Sequence, residues 1–354
     1  MEKSWEKNIR KVIPYVPGEQ PKVCGEIIKL NTNEFPYPPS PVVKQAISSL
    51  PTDELRLYPN VTAEPLVEAL ADYYGFDKNE VFVGVGSDDV LANCFLTFFN
   101  SDKPILFADV TYSFYDVWAE LYKIPYKQIP LTDDFRINAD DYKVENGGVV
   151  IANPNAPTGI GEGIEFIESI VAANRDSIVI VDEAYVDFGG ETALPLVRKY
   201  DNLIVVRTFS KSRAFAGMRI GFAIANAELI KYLNDVKYSI NSYTMNRTAI
   251  EYGKAIVADD EYFKTTVGKI METRDYTSRE LTALGFTCLP SQTNFVFAKH
   301  NTKSGNEVYE YLKSKNIFVR HFAKPRIDDY LRITIGTKEQ MEKLVAVLKE
   351  WLQA

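Results

Sequence analysis

The chain of 354 residues predicts an α/β protein: a large, mostly parallel sheet covered by helices on both faces, followed by a smaller α+β unit. Two observations predict the large part. Runs of consecutive apolar, β-rich residues such as SIVIVDE and NLIVVRT alternate with stretches of helical periodicity, and strands that are apolar throughout belong in sheets buried on both sides. Polar and charged residues also sit just past several of these runs, where open α/β sheets bind their ligands. A third observation predicts the small unit: after about residue 245 the alternation stops and gives way to a long charged helical region with separated strands.

Taken in order, residues 1–35 read as an N-terminal arm. They are proline-dense and run into the extended LNTNEFPYPPSP, neither a repeat nor a disordered tail. Residues 36–245 read as the large domain. Its strands are VFVGVG at 81–86, PILFAD at 104–109, GVVIANP at 148–154, SIVIVDE at 177–183, NLIVVRT at 202–208 and MRIGFAIA at 218–225. Helices start near Asp88, Phe114 and Ile164 between them. Residues 246–354 read as the small domain, with a helix over 260–284, the strands NFVFAK, NIFVR and LRITIG, and a final amphipathic helix from Lys338.

Composition excludes several classes of function. A hydrophobic fraction of 46% is enough for a sizeable core in more than one domain. The net charge of -8 leaves no basic field for a nucleic-acid backbone. Cys24, Cys94 and Cys288 are far apart and fit no metal-ligand spacing, so they read as reduced thiols. His300 and His321 are too few for a His-based zinc site. The N-terminus lacks an apolar signal core, and VLANCFLTFF at 90–99 is too short to span a bilayer. The expectation is a cytoplasmic protein with neither membrane nor nucleic acid as partner, and without a metal.

The chemistry is expected at the strand ends. In VFVGVGSDDV a strand runs through Gly86 into Ser87 and Asp88 at a helix start, where free N–H groups suit a phosphate or are met by an ordinary cap. The third glycine of a dinucleotide fingerprint is missing. Asp182 leaves a buried strand directly, which costs solvation unless it meets a cation or a protonated nitrogen. Lys211 follows a strand within TFSKSR and has Arg213 and Arg219 nearby; cations and partial desolvation favour a neutral, nucleophilic amine. Thr208, Ser210 and Arg219 can bind a phosphate beside it, and Tyr112 can cover a planar ring. An amine, a strand-end carboxylate, a phosphate cradle and an aromatic cover together suit pyridoxal 5'-phosphate.

At these residues the sequence resembles the fold type I pyridoxal-phosphate aminotransferases, most closely their histidinol-phosphate branch. The motifs run in order over nearly the whole chain: PYVPGE, LNTNEFPYPP, LYPN, VGSDD, TYSFY, NPNAPTG, VDEAYVDF, TFSKSRAFAGMRIG, NFVF, VRHF and LRITIGT. The resemblance implies that Lys211 holds the cofactor covalently and moves the proton, that Asp182 meets the ring nitrogen and Tyr185 the ring oxygen, and that Tyr112 stacks on the ring. It places the phosphate on Gly86, Ser87, Thr208, Ser210 and Arg219, and counts Asp88 among the cofactor-binding residues. Tyr58 matches a tyrosine that reaches the neighbouring subunit's cofactor, which implies a homodimer. There are two departures. Ala156 stands where the family has an asparagine against the ring oxygen, and Asn155 is expected to take its place. Ser212-Arg213 replaces the usual Ala and aromatic residue after the lysine, adding a cation whose destination, substrate phosphate or solvent, stays open.

For the substrate, the resemblance assigns Arg332 and Arg320 to its anionic end and Tyr15 to its phosphate. Asn33, Glu34 and Tyr112 are the candidates around an imidazole. The expected reaction transfers the amino group of L-histidinol phosphate to 2-oxoglutarate, giving imidazole-acetol phosphate and glutamate in histidine biosynthesis. An aromatic amino-acid aminotransferase and a threonine-phosphate decarboxylase are the alternatives within the fold, and a non-enzymatic nucleotide-binding module is the alternative outside it.

Overall fold

A computed structural model describes residue 3 and residues 5–16, 18–21, 27–49 and 51–353. Cys24, expected as a free thiol, lies outside the described residues; Cys94 and Cys288 are free. In chain order the regular elements are β1 (Ile28–Leu30), α1 (Val42–Ser49), α2 (Glu64–Tyr74), β2 (Val81–Gly84), α3 (Ser87–Phe98), β3 (Ile105–Ala108), α4 (Tyr115–Tyr122), β4 (Tyr126–Ile129), β5 (Gly148–Ala152) and α5 (Ile164–Ala173). The chain continues through β6 (Val179–Asp182), α6 (Leu194–Val197), β7 (Leu203–Thr208), β8 (Gly221–Ala225), α7 (Ala227–Ile240), α8 (Arg247–Val257) and α9 (Asp260–Ala283). It ends with β9 (Phe286–Cys288), β10 (Phe295–His300), α10 (Gly305–Ser314), β11 (Ile317–His321), β12 (Leu331–Thr334) and α11 (Lys338–Gln353).

Seven strands form the large sheet in the order β2-β8-β7-β6-β5-β3-β4. Its pairs are parallel except where β8 meets β7 and β2, so β8 alone runs against the rest. Side chains alternate across it. Val179, Val181, Leu203 and Val205 enter one core with α2, α5 and α8, while Ile180, Ile204 and Val206 enter the opposite core with α3, α4 and α7. Period-two alternation of residues that are all apolar makes both faces dry, as the continuous apolar runs predict.

Five strands form the small sheet in the order β1-β11-β12-β10-β9. β1, within the expected arm, pairs in parallel with β11. The proline-dense N-terminal segment is thereby tied to the C-terminal sheet. Val267 and Ile270 of α9 and Leu344 and Leu348 of α11 share a core with this sheet. A further apolar cluster joins the two parts: Phe297 and Tyr330 from the small sheet's side meet Val110, Leu131 and Phe135 from the large one's. Among the described residues no helix is long and apolar enough to cross a membrane, and no cluster of histidine, cysteine and acidic side chains could hold a metal ion.

Candidate active site

The carboxyl ends of β5, β6 and β7 lie side by side, because Ala152 is the register partner of Asp182 and Asp182 that of Val206. Asp182 closes β6 and is buried. Its Oδ2 accepts the hydroxyl of Tyr115 at 2.8 Å and its Oδ1 the N–H of Ala184 at 3.1 Å. Burial pushes this carboxyl up to about 6, against the lowering effect of those two donors, with Asp88 and Glu183 adding to the rise. A carboxyl so placed gains from a cationic partner, and among the described residues none is bonded to it.

Lys211 lies in a loop closed by the N–H of Phe215 donating to the carbonyl of Phe209 at 3.0 Å. Both phenylalanines are buried in the core beneath, so the loop is pinned at its ends and presents the lysine from its middle. Among the described residues the Lys211 amine makes no hydrogen bond or ion pair; it lies 5.7 Å from the ring centre of Tyr185. The Tyr185 hydroxyl accepts the side-chain amide of Asn33 at 2.8 Å. Asn33 is itself held by Thr334 on β12.

The residues expected to cradle an anion meet where β8 passes the start of α3. Gly86 takes φ +87°, and a Cβ there would lie 2.5 Å from Nη2 of Arg219. Only glycine leaves room for that guanidinium. Gly86 caps the helix and Ser87 is its first residue, so the first-turn N–H groups have no partner within the helix. Arg219, at φ 52°, reaches Ser210 Oγ at 3.4 Å and pairs with Asp88 at 3.2 Å. Thr208 Oγ1 accepts the N–H of Ser210 at 3.1 Å. Asp88 also accepts the hydroxyl of Tyr112 at 2.8 Å, which orients that ring.

Across the small sheet Arg320 and Arg332 are register partners on β11 and β12. Arg332 donates to the carbonyl of Asn31 at 3.0 Å, while its Nε is buried with no hydrogen-bond partner among the described residues. Burial lowers the Arg332 guanidinium's value and Arg320 adds to this, against the opposing effect of Tyr185, Tyr15 and Tyr112. Tyr15 stacks on Phe114 with ring centres 4.2 Å apart. Arg320 reaches the carbonyl of Val16 at 3.5 Å. Glu34 is exposed and paired with Lys29 at 2.6 Å. Burial raises its carboxyl, but Lys29, Thr32 and the more distant Lys211 outweigh this and hold it below the ordinary range. Tyr58 is 77% exposed and stacks on Tyr243 with centres 4.4 Å apart.

Two sequence expectations meet a different arrangement. Asn155 spends both hydrogens of its amide on Val110 O and Thr158 Oγ1, at 2.9 and 3.0 Å, and its Oδ1 accepts from Thr111 at 2.7 Å. It braces the NPNAPTG loop, and contact with a ring oxygen would require giving up one of these bonds. Arg213 takes neither open destination. It is buried between Phe263 and Tyr73, 3.8 and 4.9 Å from their ring centres, and donates to the carbonyl of Ile256. Sequence reasoning missed Tyr115, because its bond to Asp182 joins segments 67 residues apart and leaves no local signal.

The model of the aminotransferase class I and II family matches residues 25–348. The chain belongs to this family. The aminotransferase is 52% identical over 353 residues to histidinol-phosphate aminotransferase 1 of Hydrogenovibrio crunogenus, covering all of this chain and 99% of that one. It is 50% identical over 350 residues to the histidinol-phosphate aminotransferase of Lactococcus lactis subsp. cremoris, covering 99% of this chain and 98% of the relative. Among solved structures, the histidinol-phosphate aminotransferase of Sinorhizobium meliloti in complex with pyridoxal-5'-phosphate superposes with a TM-score of 0.84 at 24% identity, covering 93% of this chain and 92% of that one. That likeness shows the shared fold of the two aminotransferases.

Proposed function

We propose that the aminotransferase binds pyridoxal 5'-phosphate and moves the amino group of L-histidinol phosphate to 2-oxoglutarate, giving imidazole-acetol phosphate and glutamate. The residues present fit the cofactor. Asp182 is a buried carboxyl with no cation bonded to it among the described residues, the Gly86–Arg219 gap is a cradle that a Cβ would fill, and among the described residues the Lys211 amine makes no hydrogen bond or ion pair. When bound, pyridoxal phosphate supplies an aldehyde that accepts the amino group and an electron-poor ring that stabilises the charge left on the substrate carbon.

The protein's own part follows from its geometry. Asp182 would hold the proton on the ring nitrogen, and Tyr185 would donate to the ring oxygen. Ser87, Thr208, Ser210, Arg219 and the first turn of α3 would take the phosphate, with Asp88 orienting Arg219 and Tyr112. Tyr112 would cover one face of the ring. Lys211 Nζ would take the proton from the amine-bearing carbon and deliver it to the former aldehyde carbon. Asn33 fixes Tyr185 from behind.

The observation that carries the substrate is the pair Arg320 and Arg332 on neighbouring strands, with one guanidinium N–H buried and unpartnered. Two fixed forks suit a doubly charged phosphate better than a single carboxylate. Near-complete coverage of curated relatives bearing this activity's name supports the same choice. The test is the visible absorbance of the purified protein loaded with pyridoxal phosphate, followed as L-histidinol phosphate is added without a keto acid. Bleaching at low substrate concentration, returned by 2-oxoglutarate, is expected. Bleaching by phenylalanine or tyrosine alone would reassign the enzyme to aromatic amino acids, and carbon dioxide release from threonine phosphate would make it a lyase.

We infer further that Tyr58 completes the site of a second copy in a homodimer. Its 77% exposure, in an aromatic pair with Tyr243 on the surface, supports this.

A further inference from the structure

We propose that Tyr115 is a positioning residue for Asp182: its phenol keeps the carboxylate ionised and turned toward the ring nitrogen of the bound cofactor. The inference rests on the reading of Asp182 given above. Tyr115 is the first residue of α4 and is fully buried, wedged against Phe95 and Phe107 with ring centres 6.1 and 5.8 Å away. Two χ angles so packed leave the hydroxyl one direction, and that direction ends on Asp182 Oδ2 at 2.8 Å. The contact joins α4 to β6 across 67 residues of chain. The Ala184 N–H takes Oδ1. With both oxygens engaged from fixed positions, the carboxylate plane cannot rotate.

The chemistry of the pair gives it a direction. A hydroxyl donating to a carboxylate favours the ionised acid. Around Asp182, burial, Asp88 at the start of α3 and Glu183 just past the end of β6 all favour the protonated acid, while Tyr115 and the Ala184 N–H oppose them. Burial, Asp182 and the neighbouring Tyr112 and Tyr185 drive the Tyr115 phenol itself far above its ordinary value, so it remains a donor throughout the working range. The tyrosine therefore acts on the ring nitrogen only through Asp182. A protonated Asp182 would face a neutral pyridine nitrogen, which withdraws electrons less well from the reacting carbon.

The test is Tyr115→Phe, which keeps the ring packing and removes the donor. In the wild type, affinity of the cofactor-free protein for pyridoxal phosphate, measured by equilibrium dialysis across pH, should fall on the acidic side as Asp182 takes up its proton. In the variant this acidic limb should move up by about one pH unit, so that binding is about twofold weaker at pH 7, approaches tenfold weaker below about pH 6, and recovers in mild base. The acidic limb of kcat should move with it. Tyr115→His, which returns an N–H donor, should bring both limbs back and serves if the Phe variant does not fold. A thermal melt monitors folding. Limbs that superimpose on the wild type in a folded Tyr115→Phe protein would overturn the inference. Asp182→Asn separates this failure from failure of the underlying reading: if that variant binds and turns over normally, Asp182 does not meet the ring nitrogen at all.

Discussion

Asp182 shows at the residue scale what a buried carboxyl in the proposed site costs the fold. Its value is raised from 3.8 to about 6, first by burial. A group raised on folding contributes stability that is complete below its unfolded value and is lost as pH climbs through the folded one. Without cofactor, the wild type therefore gives up stability between about pH 4 and pH 7 at this one position, roughly 3 kcal/mol when fully ionised. Asp182→Asn cannot ionise and escapes that loss. The cofactor-free variant should melt higher than the wild type near neutrality, with the gap closing as pH falls below about 4, while turnover is lost. Melts at several pH values check this, and coincident curves near neutrality would contradict the assigned environment. Arg213, a similar departure from apolar burial, instead finds two aromatic faces and a carbonyl, so its charge is met by the fold alone.

At the scale of elements, the contact between β8 and the start of α3 shapes the proposed phosphate cradle. Gly221 is the register partner of Gly84, and a Cβ on it would drive into the backbone of Gly86 and Ser87. Backbone on both sides leaves nothing to swing aside. Gly221→Ala should therefore cost about 1–3 kcal/mol of stability and weaken pyridoxal phosphate binding by at least about tenfold. Gly217→Ala, close in sequence with open space around its Cβ, should change binding little. Equal effects in the two variants would show that the cradle tolerates displacement. These elements also show what the sequence could reveal. β5, β6 and β7 were legible because each carries a run of consecutive apolar residues, and Asp182 and Lys211 because each ends or follows such a run. The reversed direction of β8 was not legible, since an apolar run carries no polarity along the chain. β1 was missed because three residues carry no periodicity. The bonds of Tyr115, Asn155 and Arg213 join segments far apart in sequence and follow only from how the elements pack.

At the scale of the whole molecule, the site is assembled from parts that no single element holds: the lysine loop and cradle from the large sheet, the arginine pair from the small one, and β1 lacing the N-terminal segment to β11. The exposed Tyr58 extends this logic to a second copy. If each active site takes Lys211 from one subunit and Tyr58 from the other, two defective proteins can repair each other. Lys211→Ala alone should be inactive, and Tyr58→Ala should bind the cofactor about tenfold more weakly through loss of one phosphate contact. A mixed dimer of the two carries one site with both residues intact and one with neither. Unfolding and refolding an equal mixture makes half the dimers mixed, so about a quarter of all sites should regain wild-type cofactor affinity and turnover. Assayed at a cofactor concentration too low to fill the Tyr58→Ala sites, the mixture should therefore exceed the sum of the separately refolded proteins. Activity equal to that sum would place Tyr58 in its own subunit's surface and leave each active site complete within one chain.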